Sequence, residues 1–278
     1  MKIAVLSGKG GTGKTFVSVN LAAVAGDAMY VDCDVEEPNG HLFFKPGAVK
    51  TRQVAVEIPL VDSERCTGCR VCVDFCNYHA LAWVGGGVKI FDEICHSCGG
   101  CIILCPEKAL TGKEKVIGQV QRGKSEAVTV LSGMLNPGIP SGVPIIKELL
   151  KGTEEKERVF IDCPPGSACI VMETVAAADY CILVAEPTVF GVHNLNMVWE
   201  LVTLLGKPCG VVINKFVDTE NPAEKYCAEK EIDVIGRIPF DAELGLLNSN
   251  ALIAAREKAK YGRLFGDLLA RITGEVWL

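Results

Sequence analysis

Five short apolar runs punctuate the chain: KIAVL at 2–6, AMYVD at 28–32, RVFIDC at 158–163, YCILVAE at 180–186 and CGVVIN at 209–214. Each is nearly continuous rather than alternating, the pattern of a strand buried on both faces, as in a parallel sheet. Stretches of mixed polarity at 15–25, 143–151, 192–205 and 221–230 predict helices, the last opening on Asn221 and Pro222, a cap and first-turn pair. Strands alternating with helices predict an α/β fold with a doubly wound, mostly parallel sheet.

Between the second and third runs the pattern changes to a repeat. Cys66, Cys69, Cys72 and Cys76 recur at Cys95, Cys98, Cys101 and Cys105 with a constant offset of 29, which Glu64 and Glu93, Ala80 and Ala109, and Leu81 and Leu110 also keep. Two copies of one small unit are therefore expected at 62–112, as an α+β insert in a surface connection of a larger domain made of 1–61 and 113–278. Each copy reads C-x2-C-x2-C-x3-C, the spacing of bacterial two-cluster ferredoxins, in which the fourth cysteine of each run ligates the other cluster. The expectation is two 4Fe-4S clusters, one on Cys66, Cys69, Cys72 and Cys105, the other on Cys95, Cys98, Cys101 and Cys76. A pair of four-cysteine zinc sites is the alternative. The usual Pro106 follows Cys105, but Asn77 follows Cys76, a departure that bears on the local turn or the potential and removes no ligand.

A second motif stands directly after the first strand. Residues 8–15 read GKGGTGKT, the G-x4-G-K-T phosphate loop in its strand-to-helix context. Gly8, Gly10, Gly11 and Gly13 let backbone N–H groups around Lys9 and Thr12 turn toward phosphate oxygens. Lys14 can reach the outer phosphates, and the Thr15 hydroxyl can hold Mg²⁺. Acidic residues end two strands, Asp32 with Asp34 and then Asp162, where parallel strands deliver ligands; Asp162 is expected to hold the metal through water.

Composition narrows the classes. The chain has 278 residues with 28 Lys or Arg against 34 Asp or Glu, a net charge of −6. With no Lys/Arg-rich run, binding to nucleic acid by charge is not expected. No apolar stretch approaches the roughly 20 residues that span a bilayer, and the apolar stretch 3–6 is too short for a signal-peptide core. A cytoplasmic location, with no membrane partner, is the expectation. Of 14 cysteines, eight crowd into 66–105, which together with the absence of an export signal favours metal ligation over a disulfide framework. Cys33, Cys163, Cys181, Cys209 and Cys227 fall on or near apolar strands or a helix and read as buried, inert thiols.

The additional lysine of the loop, Lys9, makes K-G-G-T-G-K-T, which resembles the deviant Walker A ATPases, a group that includes MinD, ParA, the Mrp-type iron-sulfur carriers and the nitrogenase iron protein. DVEEPN at 34–39, DCPPGSAC at 162–169 and AEPTVFGVHNL at 185–195 resemble, more narrowly, MinD-superfamily ATPases with an inserted ferredoxin domain. The resemblance implies ATP hydrolysis by a homodimer closed over two ATP molecules, with Lys9 crossing to the partner's nucleotide, Asp34 positioning the attacking water and Asn214 recognising adenine. Cys169 resembles a cluster ligand of the nitrogenase iron protein in position but lacks the second, upstream cysteine that site needs, and reads as a switch-loop residue. Function follows as an ATPase whose nucleotide state is coupled to electron transfer or metallocluster assembly with another protein. A cluster scaffold or carrier, and a MinD-like positioning switch, are the other readings. The last would use a basic amphipathic tail, whereas 261–278 sets Phe265, Leu268, Leu269 and Ile272 on one face with only Arg263 and Arg271 as cations, a helix expected to pack on the sheet.

Overall fold

In the computed structural model, which describes residues 1–154, 156–218 and 221–274, the first apolar run forms β1 (Lys2–Leu6), followed by α1 (Lys14–Val24), β2 (Met29–Asp32), α2 (Gly40–Phe44) and β3 (Gly47–Val61). The cysteine-rich stretch contributes α3 (Val71–Phe75), β4 (Leu81–Val84), β5 (Gly87–Ile90), a 3-10 turn at Asp92–Ile94 and α4 (Gly100–Ile103). The chain continues through β6 (Leu110–Ser125), β7 (Val128–Leu135), α5 (Val143–Lys151), β8 (Val159–Asp162), α6 (Cys169–Ala176) and β9 (Tyr180–Ala185). It closes with α7 (Val189–Leu204), β10 (Cys209–Phe216), α8 (Pro222–Glu229), β11 (Val234–Pro239), α9 (Ala242–Ser249), α10 (Ala254–Glu257) and α11 (Ala259–Thr273).

Among the described residues nine strands form one sheet in the order β11-β10-β9-β1-β8-β2-β7-β6-β3, with parallel pairing from β11 to β7. The five apolar runs are its centre. On β1 the side chains alternate between two cores, Ala4 and Leu6 in one, Ile3 and Val5 in the other. Helices α5 to α8 cover the first face, and α1 with α9 to α11 covers the second. Each fully buried aliphatic side chain contributes about 1.5–3 kcal/mol. The tail helix α11 buries Phe265, Leu268 and Leu269 against the sheet, and residues 275–278 of the expected tail lie outside the described residues. Helix α7 starts before the expected 192 because the Thr188 hydroxyl caps it, accepting from the Gly191 amide at 2.9 Å.

The last two strands, β6 and β3, run antiparallel and were not announced by any apolar run. β3 is instead half-buried and alternating, with Val54 and Ile58 inside and Gln53, Ala55 and Glu57 outside. β6 pairs with β7 only from Gly118 to Ser125, so 110–117 runs on past the carboxyl end of β7, paired with β3 alone. A register shift at Val54/Ala55 leaves Ile117 out of the β3–β6 ladder at the point where the ribbon leaves the sheet. The ribbon thus holds the cysteine-rich stretch beyond the carboxyl ends of the parallel strands, the end at which such sheets bind ligands. Its second strand, β6, begins at Leu110, inside the expected 62–112 boundary.

The repeat seen in the sequence recurs in the backbone. Gly68 and Ser97, Arg70 and Gly99, and His79 and Lys108 are matched positive-φ pairs at the offset of 29. α3 and α4 occupy matching places, and Cys72, Ala80, Leu81, Cys101 and Leu110 form a small core of their own.

Candidate functional site

The loop between β1 and α1 is shaped by its glycines and braced from behind. Gly13, with φ of 100°, has no room for a side chain, because a Cβ there would lie 2.1 Å from the Asn214 amide nitrogen. A Cβ on Gly8 would lie 2.2 Å from the Asn194 carbonyl of α7. Ser7 and Thr12 hydroxyls donate to the Lys9 carbonyl at 2.9 and 3.2 Å, and the Asn214 amide donates to the Thr12 carbonyl at 2.8 Å. Asn214, expected at adenine, here supports the loop backbone from β10. The loop opens on a cleft of about 680 Å³ lined by Lys9, Gly10, Gly11, Gly13, Lys14 and Thr15, with Asp34, Asn39 and Pro164 on its walls and Asn248 and Ser249 of α9 on its rim.

Beneath the cleft lies a buried charge cluster. The Lys14 ammonium is 2.6 Å from Asp162 Oδ1 and 3.7 Å from Asp34 Oδ2. Burial pulls its pKa down, but Asp162 and Asp34 more than offset this and hold it above the ordinary lysine value. Asp162 is fully buried and takes its second hydrogen bond from the Tyr30 hydroxyl at 2.8 Å. Asp32 accepts from the amides of Gly40 at 2.8 Å and Asp34 at 3.2 Å, and is also buried. Burial and the neighbouring Asp162 push Asp32 up to about 7, although Lys14 and the Gly40 amide pull the other way. Asp34, less enclosed, is raised by burial against the opposing pull of Lys14. Strand register explains the cluster: Asp32 stands beside Asp162 and Tyr30 beside Phe160 on neighbouring parallel strands, which sets both aspartates and the tyrosine on the α1 side of the sheet. The structure gathers Lys14, Asp34 and Asp162 as expected, but Asp162 sits under Lys14 rather than on the cleft wall.

Three site residues escaped the sequence reading. Tyr30 is one. The others are Glu186, whose carboxylate lies 2.8 Å from the Lys9 ammonium, and Lys215, which donates to Glu186 at 2.7 Å and to the Gly11 carbonyl at 3.4 Å. Tyr30 interrupts an otherwise apolar strand and Glu186 ends one; only those polar intrusions mark them in the sequence.

The cysteines line two recesses at the end of the ribbon. One is walled by Cys66, Cys69, Cys72 and Cys105, the other by Cys76, Cys95, Cys98 and Cys101. Backbone amides of Ala80 and Ala109 point at the sulfurs of Cys76 and Cys105 at 3.4 and 3.3 Å, donors suited to a thiolate. Among the described residues no three Cys, His, Asp or Glu side chains converge as a ready-made metal site. The donor set, four thiols to each recess with one amide aimed at a sulfur in each, is of a kind that metal centres use. His96, inside one cysteine loop, stacks on Tyr78 with ring centroids 3.8 Å apart. Cys33, Cys163 and Cys181 are fully buried, Cys227 nearly so, Cys209 partly, and Cys169 opens α6 exposed.

The two regions border one apolar core, in which Val35, Ile117, Ile139 and Ile170 pack. Cys95, His96 and Ser97 share a small cavity with Ile117 and with Ile139, Pro140 and Ser141, the turn before α5. That turn ends at Gly142, where a Cβ would lie 2.4 Å from Val35 and 3.1 Å from Ile170. Val35 follows Asp34, and Ile170 follows Cys169.

Comparison with known proteins agrees with this geometry. The family model for the CobQ/CobB/MinD/ParA nucleotide binding domain matches residues 3–252. An uncharacterised protein of Methanocaldococcus jannaschii is 30% identical over 222 residues, 78% of this chain and 80% of that protein. An uncharacterised ferredoxin of the same organism is 41% identical over 61 residues, 20% of this chain and 78% of that one. The solved MinD of Pyrococcus horikoshii in complex with Mg-ADP superimposes with a TM-score of 0.58 at 19% identity, covering 98% of this chain and 95% of that one. With glycine loop, buried lysine and paired strand-end carboxylates in their places, the chain belongs to the CobQ/CobB/MinD/ParA nucleotide-binding family.

Proposed function

We propose that the protein is an ATP-hydrolysing iron-sulfur protein that couples nucleotide state to electron transfer, or to metallocluster assembly, with a partner protein. The observation that carries this is the closeness of the two regions: the Cys95–Ser97 loop lines a small cavity with Ile117 and the 139–141 turn, and Ile117 and Ile139 pack in one apolar core with Val35 and Ile170 beside the phosphate cleft. Bound phosphates would take Lys14 from Asp162 and Asp34. Asp34 would then be free to orient water at the outer phosphate, and Thr15 and Asp162 to hold Mg²⁺; the Mg-ADP complex of the archaeal MinD supports nucleotide and Mg²⁺ binding in this fold. The chain would close as an ATP-dependent homodimer, with Lys9 reaching the partner's nucleotide. Loss of the outer phosphate after hydrolysis would release Asp34 and Val35, and the 139–142 turn with them.

At the ribbon tip, Cys66, Cys69, Cys72 and Cys105 would hold one 4Fe-4S cluster and Cys76, Cys95, Cys98 and Cys101 the other, as the ferredoxin relative supports. When bound, they supply one-electron chemistry. The residues 62–112 then act as a ferredoxin unit carried by the ATPase of 1–61 and 113–278. Anaerobic purification followed by iron and sulfide analysis, and ATPase assay of oxidised and reduced protein, tests the reading. About eight irons and eight sulfides per chain are expected, with turnover that differs between redox states; zinc without sulfide, or no hydrolysis, would contradict it.

A further inference from the structure

Glu186 sits at the carboxyl end of β9, in the turn that caps α7, with its carboxylate over the rim of the phosphate loop. It binds two lysines at once, Lys9 at 2.8 Å and Lys215 at 2.7 Å, and Lys215 also reaches the Gly11 carbonyl. The turn is rigid: the Thr188 amide donates to the Glu186 carbonyl at 2.8 Å, and a Cβ at Gly191 would lie 2.1 Å from that oxygen. The Glu186 side chain is 13% exposed and that of Lys9 42%, so the acid is fixed and the lysine is the movable partner. A carboxylate held against a lysine on the lip of an anion-binding loop competes with phosphate for that lysine. Beyond it, Val189 and Phe190 at the start of α7 stand exposed.

We infer that Glu186 is the positioning residue of Lys9, holding it within its own subunit until a nucleotide phosphate takes it over at dimer closure. This rests on the ATP-dependent dimer proposed above. A partly exposed pair of this kind is worth up to about fivefold in an equilibrium, and closure breaks two, one per subunit. Removing the carboxylate should lower the dimer dissociation constant by about 3- to 25-fold.

The test is sedimentation of wild type, Glu186→Gln, Glu186→Ala, Lys9→Ala and the Glu186→Gln/Lys9→Ala double variant with a non-hydrolysable ATP analogue. Both Glu186 variants should dimerise at lower protein concentration than wild type. Lys9→Ala should stay monomeric, and the double variant should match Lys9→Ala, because without Lys9 the carboxylate, still paired with Lys215, restrains no lysine that closure needs. Glu186 variants that dimerise no better than wild type, while wild type does dimerise, would overturn the inference and leave the dimer standing. An effect of Glu186→Gln that persists without Lys9 would also overturn it, by showing that the carboxylate acts through Lys215 or the fold. If neither wild type nor the Glu186 variants dimerise, the dimer reading fails and takes the inference with it.

Discussion

Lys14 is the hinge of the site, the cation paired with Asp34 and Asp162 and facing Asp32. Lys14→Ala should abolish nucleotide binding, read by calorimetry, and should also destabilise the fold by about 3–5 kcal/mol, because it leaves a buried carboxylate uncompensated. Retained affinity would contradict the assignment. Tyr30→Phe removes a hydrogen bond to that same carboxylate and should cost about 1.5–3 kcal/mol in urea unfolding. Asp32 gives a pH signature in protein free of nucleotide and Mg²⁺. Its folded pKa, about 7, lies above the unfolded value near 4, so between these limits the folded state binds more protons and stability falls as pH rises. Asp32→Asn lacks this penalty, so its stability relative to wild type should improve from about pH 4 to about pH 7; parallel pH curves would contradict the burial argument. The motif residues were legible in the sequence because a phosphate loop needs fixed spacing. Tyr30 and Glu186 were not, because their partners are set by strand register and by a turn that linear spacing does not encode.

At the level of elements, the central strands were readable because burial on both faces forces a continuous apolar run. The ribbon β3–β6 was readable in principle from the alternation of Val54, Val56 and Ile58, but alternation without an apolar run does not say which sheet it joins. Nor could the sequence show that the 139–142 turn would line a cavity with a cysteine loop at one end and approach Val35 at the other. Gly142→Ala tests that approach. Its Cβ has to displace the Val35 side chain, next to Asp34. The variant should bind ATP within about threefold of wild type yet lose about tenfold in turnover, a barrier change of about 1.4 kcal/mol. Unchanged turnover would mean that the turn is a passive support.

The whole molecule places a phosphate cleft and two cysteine-lined recesses at one end of one sheet, with a packed turn between them. Cysteine spacing, read as a ferredoxin motif, led to the expectation that Cys105 joins the first triplet and Cys76 the second, and the two recesses are lined by those same groups of four. Spacing did not reveal where the insert stands relative to the nucleotide, because that depends on how far β6 overshoots β7. The central claim is that nucleotide state and cluster state are linked, and linkage is reciprocal. The most direct measurement is a spectroelectrochemical titration of the iron-loaded protein with no nucleotide, with ADP and with a non-hydrolysable ATP analogue, alongside nucleotide affinity in both redox states. The account predicts that replacing ADP by the analogue shifts a midpoint potential, and that reduction changes the analogue-to-ADP affinity ratio by the matching factor. Superimposable titrations with equal affinities in both redox states would contradict it.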